Sequence, residues 1–152
     1  HWLRTLFAST PQIVWAGAIC PKPQLDSSFE LRLQFPNGPL AYVGCAMSEH
    51  LSRHHDASLY LEGDKGQLEV LNLVAPHQGH TLCLTKNGEA HEYQIKGDTT
   101  YYHQLEHTLS CIKGEAKPLT GGQDAIDQMQ LIDAAYKAAG LLPRGSVAAG
   151  TA

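Results

Sequence analysis

The sequence predicts an α+β fold: a largely antiparallel open sheet of about seven strands with helices packed on one face. Three observations carry this. Stretches in which apolar and polar side chains alternate, joined by short turns rich in Gly and Asn, fill the chain from about residue 12 to residue 96. No helical stretch separates them in the βαβ manner. Two runs of helical period come only at the end, and strands followed by helices is the order of an α+β architecture.

The first element, "HWLRTLFAS", sets Trp2, Leu3, Leu6 and Phe7 at helical spacing and is stopped by Pro11, so it reads as the last turns of a longer helix. "QIVWAGAIC" is apolar on both alternating faces, which suits a strand buried on both sides, and "PKPQLD" is its loop. "SFELRLQF" is the clearest strand. Phe29, Leu31, Leu33 and Phe35 fall on one face, with Ser28, Glu30, Arg32 and Gln34 on the other. "PNGP" follows as a turn in which Asn37-Gly38 supplies the positive φ of a tight hairpin. "LAYVGCAM" returns as the partner strand, and its two apolar faces place it, with "QIVWAGAIC", near the sheet centre.

After the polar loop "SEHLSRHHD", the strands "ASLYLEG" and "GQLEVLNLV" meet at the turn Gly63-Asp64-Lys65-Gly66. "TLCLT" and "HEYQIK" flank Asn87-Gly88 in the same way. The first terminal helix, "TTYYHQLEHTLSCIKG", lines up Tyr102, Leu105, Leu109 and Ile112, with Asp98 or Thr99 as its cap and Gly114 as its end. The second, "LTGGQDAIDQMQLIDAAYKAAG", has Thr120 and Gln123 in capping-box positions. Its expected buried stripe is Ile126, Met129, Ile132, Ala135, Tyr136 and Ala139.

Length and composition bound the function. With 152 residues the chain is long enough to bury roughly 70% of its unfolded surface. We expect one domain over residues 1–142 and a flexible tail over 143–152. In that tail Leu142-Pro143-Arg144-Gly145-Ser146 resembles a protease-site linker, a native flexible end being the alternative. A net charge of −4 leaves no basic field for nucleic acid or an anionic membrane surface. No apolar run reaches the ~18 residues of a membrane span. Cys20, Cys45, Cys83 and Cys111 lie far apart without a CxxC pair, which fits a reducing, cytoplasmic setting.

The phrases "LRTLF", "LRLQFPNG", "LYLEGDKGQLEV" and "YYHQLEHTLSCIKGEAKPLTGGQDAIDQMQLIDAAYKAA", in this order and spacing, resemble the C-terminal domain of the Gfo/Idh/MocA family of NAD(P)-dependent oxidoreductases over residues 2–140. The resemblance implies a parent enzyme whose N-terminal Rossmann domain, absent here, holds NAD or NADP. This domain would supply the far wall of the pocket for a sugar-, cyclitol- or polyol-like substrate and an open sheet face for homo-oligomerisation. The chain departs from the whole-enzyme plan, because it has no GxGxxG after a first strand and "TGGQDA" does not replace it. "EAKP" (Glu115–Pro118) has letters similar to the family's Glu-Lys-Pro motif but sits between the terminal helices. No cofactor is expected for this fragment alone, and by itself the fragment is expected to be inactive.

The family carries an aspartate and a histidine shortly after the domain junction, and the resemblance implies an acid or base role for that histidine toward the substrate hydroxyl. His1 is the residue here that matches it, the alternative being an ordinary residue of the truncated helix. The sequence contains nine histidines. His50, His54 and His55 in "EHLSRHHD" read as a loop without HExxH order, so no metal is expected; His54 and His55 stay as substrate-side candidates. His103 and His107 lie off the apolar stripe of their helix and face solvent or a neighbouring domain. Glu30, Arg32 and Gln34, with Glu92, Gln94 and Lys96 on "HEYQIK", make a polar sheet face. That face is solvated, binds substrate, or meets another copy, with Trp15, Tyr42 and Tyr60 adding aromatic contacts. A stand-alone, non-enzymatic interaction or assembly domain using that face is the alternative function.

Overall fold

The computed structural model describes residues 1–36, 38–47, 57–143 and 145. The fold is α+β, with all pairing antiparallel, as expected. The seven strands fall into a sheet of three and a sheet of four. The chain divides into two compact units, His1–Leu51 with Thr120–Ala152, and Ser52–Leu119.

The first unit holds helix α1 (Trp2–Phe7), strands β1 (Gln12–Ile19), β2 (Ser28–Gln34) and β3 (Leu40–Ala46), and helix α3 (Gly122–Ala138). β2 is central, with β1 and β3 on its two sides. This reverses the expectation that the two doubly apolar strands are central. The reason is a bulge: Ile13 pairs with Leu33 but Trp15 pairs with Arg32, so Val14 is extra and exposed and the strand changes face within one residue. An apolar letter on each side of that bulge imitates a strand buried on both faces. β2 keeps its alternation, with Phe29 and Leu33 buried and Phe35 just beyond it 1% exposed, the most enclosed large side chain described.

The helices cover this inner face. Phe7 of α1 stacks against Phe35 with ring centroids 4.6 Å apart, and Tyr136 of α3 against Phe29 at 5.1 Å. The Tyr136 hydroxyl donates to Asp26 Oδ1 at 3.2 Å, so the ring is fixed at both ends. Gln34 closes the β2–β3 turn by donating its amide to the carbonyls of Phe35 and Gly38. Gly38 does not adopt the positive φ expected of it, and Asn37 lies outside the described residues.

The capping box expected at α3 does not form. Gly121 is the N-cap, and Gln123 instead donates to Asp127 Oδ1 at 2.8 Å. The expected stripe holds over the second half of the helix, where Ile132, Ala135, Tyr136 and Ala139 lie on the enclosed side. It fails in the first turns, where Ile126 and Met129 are exposed and Asp124, Asp127 and Gln128 are enclosed instead. The inward face of those first turns is therefore polar.

The second unit is a meander of β4 (Leu59–Gly63), β5 (Gly66–Leu71), β6 (His80–Lys86) and β7 (Glu89–Ile95), followed by helix α2 (Thr100–Ile112). Its turns are those expected. Gly66 has φ +144°, and a Cβ there would run into the carbonyl of Thr85; Asn87 and Gly88 both take positive φ, as a two-residue hairpin requires. Cross-strand register places Tyr60, Glu69, Cys83 and Glu92 in one row. Thr99 rather than Asp98 caps α2, accepting from the Tyr102 N–H at 3.2 Å. The apolar stripe of α2 is not buried: Tyr102, Leu105, Leu109 and Ile112 are all exposed among the described residues, Ile112 to 77%.

Candidate functional site

A densely bonded polar cluster joins α1 to the first turns of α3. Arg4 enters it because helical spacing puts position 4 on the same side as Phe7, which is anchored on Phe35. Its side chain is only 10% exposed. Nη1 donates to Asp124 Oδ1 at 3.0 Å and to Gln128 Oε1 at 3.3 Å, and Nη2 donates to Asp127 Oδ2 at 3.4 Å. Positions 124, 127 and 128 share one helix face by the i, i+3, i+4 rule, so one guanidinium spans all three. Arg4 Nε is buried and has no partner among the described residues.

His1 lies at the edge of this cluster. Its Nδ1 is 3.4 Å from Asp124 Oδ2 and its Nε2 is 3.5 Å from the Thr5 hydroxyl. An open groove of about 550 Å³ begins beside Asp127 and runs between Thr10, Gln12 and Ile13 on one side and Gln130 and Leu131 on the other.

The remaining sequence candidates lie elsewhere. Glu30 and Arg32 are on the outer face of the three-stranded sheet, opposite the face that carries α1 and α3, so the fold does not bring them to His1. Arg32 is instead sandwiched, its guanidinium carbon 5.4 Å from the Trp15 ring and 5.6 Å from that of Tyr42. The register makes this sandwich, because Trp15, Arg32 and Tyr42 are direct cross-strand partners. Gly17 leaves room for the indole: a Cβ there would sit 2.6 Å from it. The amide of Gln34 serves its turn. His54 and His55 lie outside the described residues.

Among the described residues no three His, Cys, Asp or Glu side chains converge as a metal site. His103 pairs with Glu106 at 3.5 Å, and His107 Nε2 accepts from the Leu119 N–H at 3.3 Å. The four cysteines are free. The Cys83 thiol is pushed up by burial and then by Glu92 and Glu69, its neighbours across the ladder. No helix among the described residues is long and apolar enough to cross a membrane.

The glycines at the start of α3 do not form a dinucleotide cradle. Gly121 and Gly122 border open space rather than a cradle, and Asp124 puts a carboxylate in the first turn of α3, where a pyrophosphate would need positive charge.

Asp124, Asp127 and Gln128 were not candidates from the sequence. Their signal was present but ambiguous: traced backward from Ala135 and Leu131, the buried stripe of α3 passes through them, and polar letters are ordinarily assigned to the wet side. An arginine within the apolar pattern of α1 was the matching half.

No family model and no curated protein matches the chain. Solved structures do. The "putative oxidoreductase" of Thermotoga maritima aligns over 91% of this chain and 41% of its own, with a TM-score of 0.69 at 18% identity. KijD10, a 3-ketoreductase from Actinomadura kijaniata seen in complex with NADP and TDP-benzene, aligns over 90% of this chain and 42% of its own, with a TM-score of 0.71 at 13% identity. The YPO2259 protein of Yersinia pestis, with the same description as the first, aligns over 96% and 47%, with a TM-score of 0.65 at 15% identity. The chain therefore spans less than half the length of these proteins. It has the fold of one part of such oxidoreductases, in agreement with its resemblance to the Gfo/Idh/MocA C-terminal domain.

Proposed function

We propose that the chain is the C-terminal substrate-binding and oligomerisation domain of an NAD(P)-dependent oxidoreductase acting on a sugar-, cyclitol- or polyol-like substrate by hydride transfer. The observation that carries this is the fold shared with part of a 3-ketoreductase seen in complex with NADP. In that reaction the nicotinamide, held by the rest of the parent, exchanges the hydride with a carbinol or carbonyl carbon. This chain's share is the proton on the substrate oxygen. His1 is our candidate for it, an imidazole at the edge of the Arg4 ion cluster and partly open to solvent.

The test uses the parent protein encoded by the full reading frame. With NADPH or NADH and a panel of keto-sugars, nicotinamide oxidation is expected for at least one member, and His1→Gln is expected to lower kcat about 10²-fold or more. A parent that turns over no polyhydroxylated substrate with either cofactor overturns the reading.

The exposed Trp15–Arg32–Tyr42 sandwich favours a second reading, a self-association surface that also serves a stand-alone assembly domain. Sedimentation of the chain is expected to show an oligomer that Trp15→Ala with Tyr42→Ala dissociates; a monomer at high concentration excludes it.

A further inference from the structure

An imidazole that trades protons with a substrate does so through one nitrogen, and the other must be held or the ring presents the wrong tautomer. The two nitrogens of His1 have different surroundings. Nδ1 faces Asp124 Oδ2 at 3.4 Å, and Nε2 has only the Thr5 hydroxyl at 3.5 Å. Asp124 is itself not free to turn away. Its other oxygen accepts from Arg4 at 3.0 Å, and Arg4 is nine-tenths enclosed and tied to Gln128 and Asp127. Asp127 is in turn fixed by Gln123 at 2.8 Å.

Charge points the same way. One guanidinium meets two carboxylates, Asp124 and Asp127, which leaves one negative charge that an imidazolium at His1 cancels. These are the charged side chains around the ring on α1 and α3.

We propose that Asp124 is the positioning residue for His1: its Oδ2 accepts from Nδ1–H, which keeps that proton on Nδ1 and leaves Nε2 as the nitrogen that exchanges a proton with substrate. The assignment rests on the reading of His1 as acid or base. It adds a residue 123 positions away that neither motif nor spacing indicated. The geometry is that of a carboxylate–histidine pair with a third, buried group locking the carboxylate.

The test is an NMR titration of the His1 ring in the 152-residue chain. The neutral ring of the unsubstituted protein is expected as the Nδ1–H tautomer, and predominance of the commoner Nε2–H form overturns the proposal without any variant having to fold. Asp124→Asn is expected to lower the imidazole midpoint by about one unit, and Asp124→Glu to recover part of it. Asp127→Asn, which touches Arg4 and not the ring, is expected to move it by a few tenths at most. Equal shifts in Asp124→Asn and Asp127→Asn reduce the effect to general charge and sink the positioning role. In the parent, Asp124→Asn is expected to cut kcat about tenfold or more with KM little changed and to displace the pH limb assigned to His1. A parent without nicotinamide-linked turnover defeats the enzyme reading and leaves the titration standing; a normal parent with an unmoved midpoint defeats the positioning role alone.

Discussion

Arg4 concentrates more of the first unit's polar bonding than any other described side chain, and it does so from a helix of six residues. Hydrogen bonds to charged groups contribute about 1.5–3 kcal/mol each when buried, and the 27% and 37% exposure of Asp124 and Asp127 reduces that here. Arg4→Met is therefore expected to cost about 1–3 kcal/mol in urea unfolding. Arg4→Lys should lose a large part of it, since an ammonium cannot span three acceptors as a fork does.

At the scale of elements, the two terminal helices look alike in sequence and differ in what they enclose. α3 lays Ala135 and Tyr136 on the sheet, whereas the stripe of α2 is exposed among the described residues. Truncating Ile112 to Ala is expected to change stability by no more than about 0.5 kcal/mol, and Phe35 to Ala to cost about 3–5 kcal/mol; comparable losses would mean that α2 is packed in solution. The contrast shows what the sequence could reveal. Alternation in β2, the glycines at 66 and 88 and a cap at Asp98 or Thr99 were legible because each is a local requirement of backbone geometry. The position of β1 was not, because the bulge at Val14 depends on a partner strand. Nor was the inward polar half of α3, because Asp124, Asp127 and Gln128 turn inward only when Arg4, some 120 residues earlier, arrives to meet them.

For the molecule as a whole, the two units carry separate surfaces and contribute unequally to the buried core. Phe29, Leu33, Phe35 and Ala135 belong to the first unit, and Val70 to the second. On the proposed reading, proton handling and self-contact both fall to the first unit and the cofactor to the rest of the parent. Calorimetric titration of NADPH is accordingly expected to give no measurable heat with this chain and clear binding with the parent; tight binding by the chain would move the cofactor site into it. The sandwich over Gly17 has one more consequence. Trp15 is one of two tryptophans, and its indole lies on a guanidinium at the outer sheet face. With Trp2 replaced by Phe, the remaining emission becomes a native optical gauge of that face, and whatever comes to rest on it will announce itself as a change in colour and brightness without any attached dye.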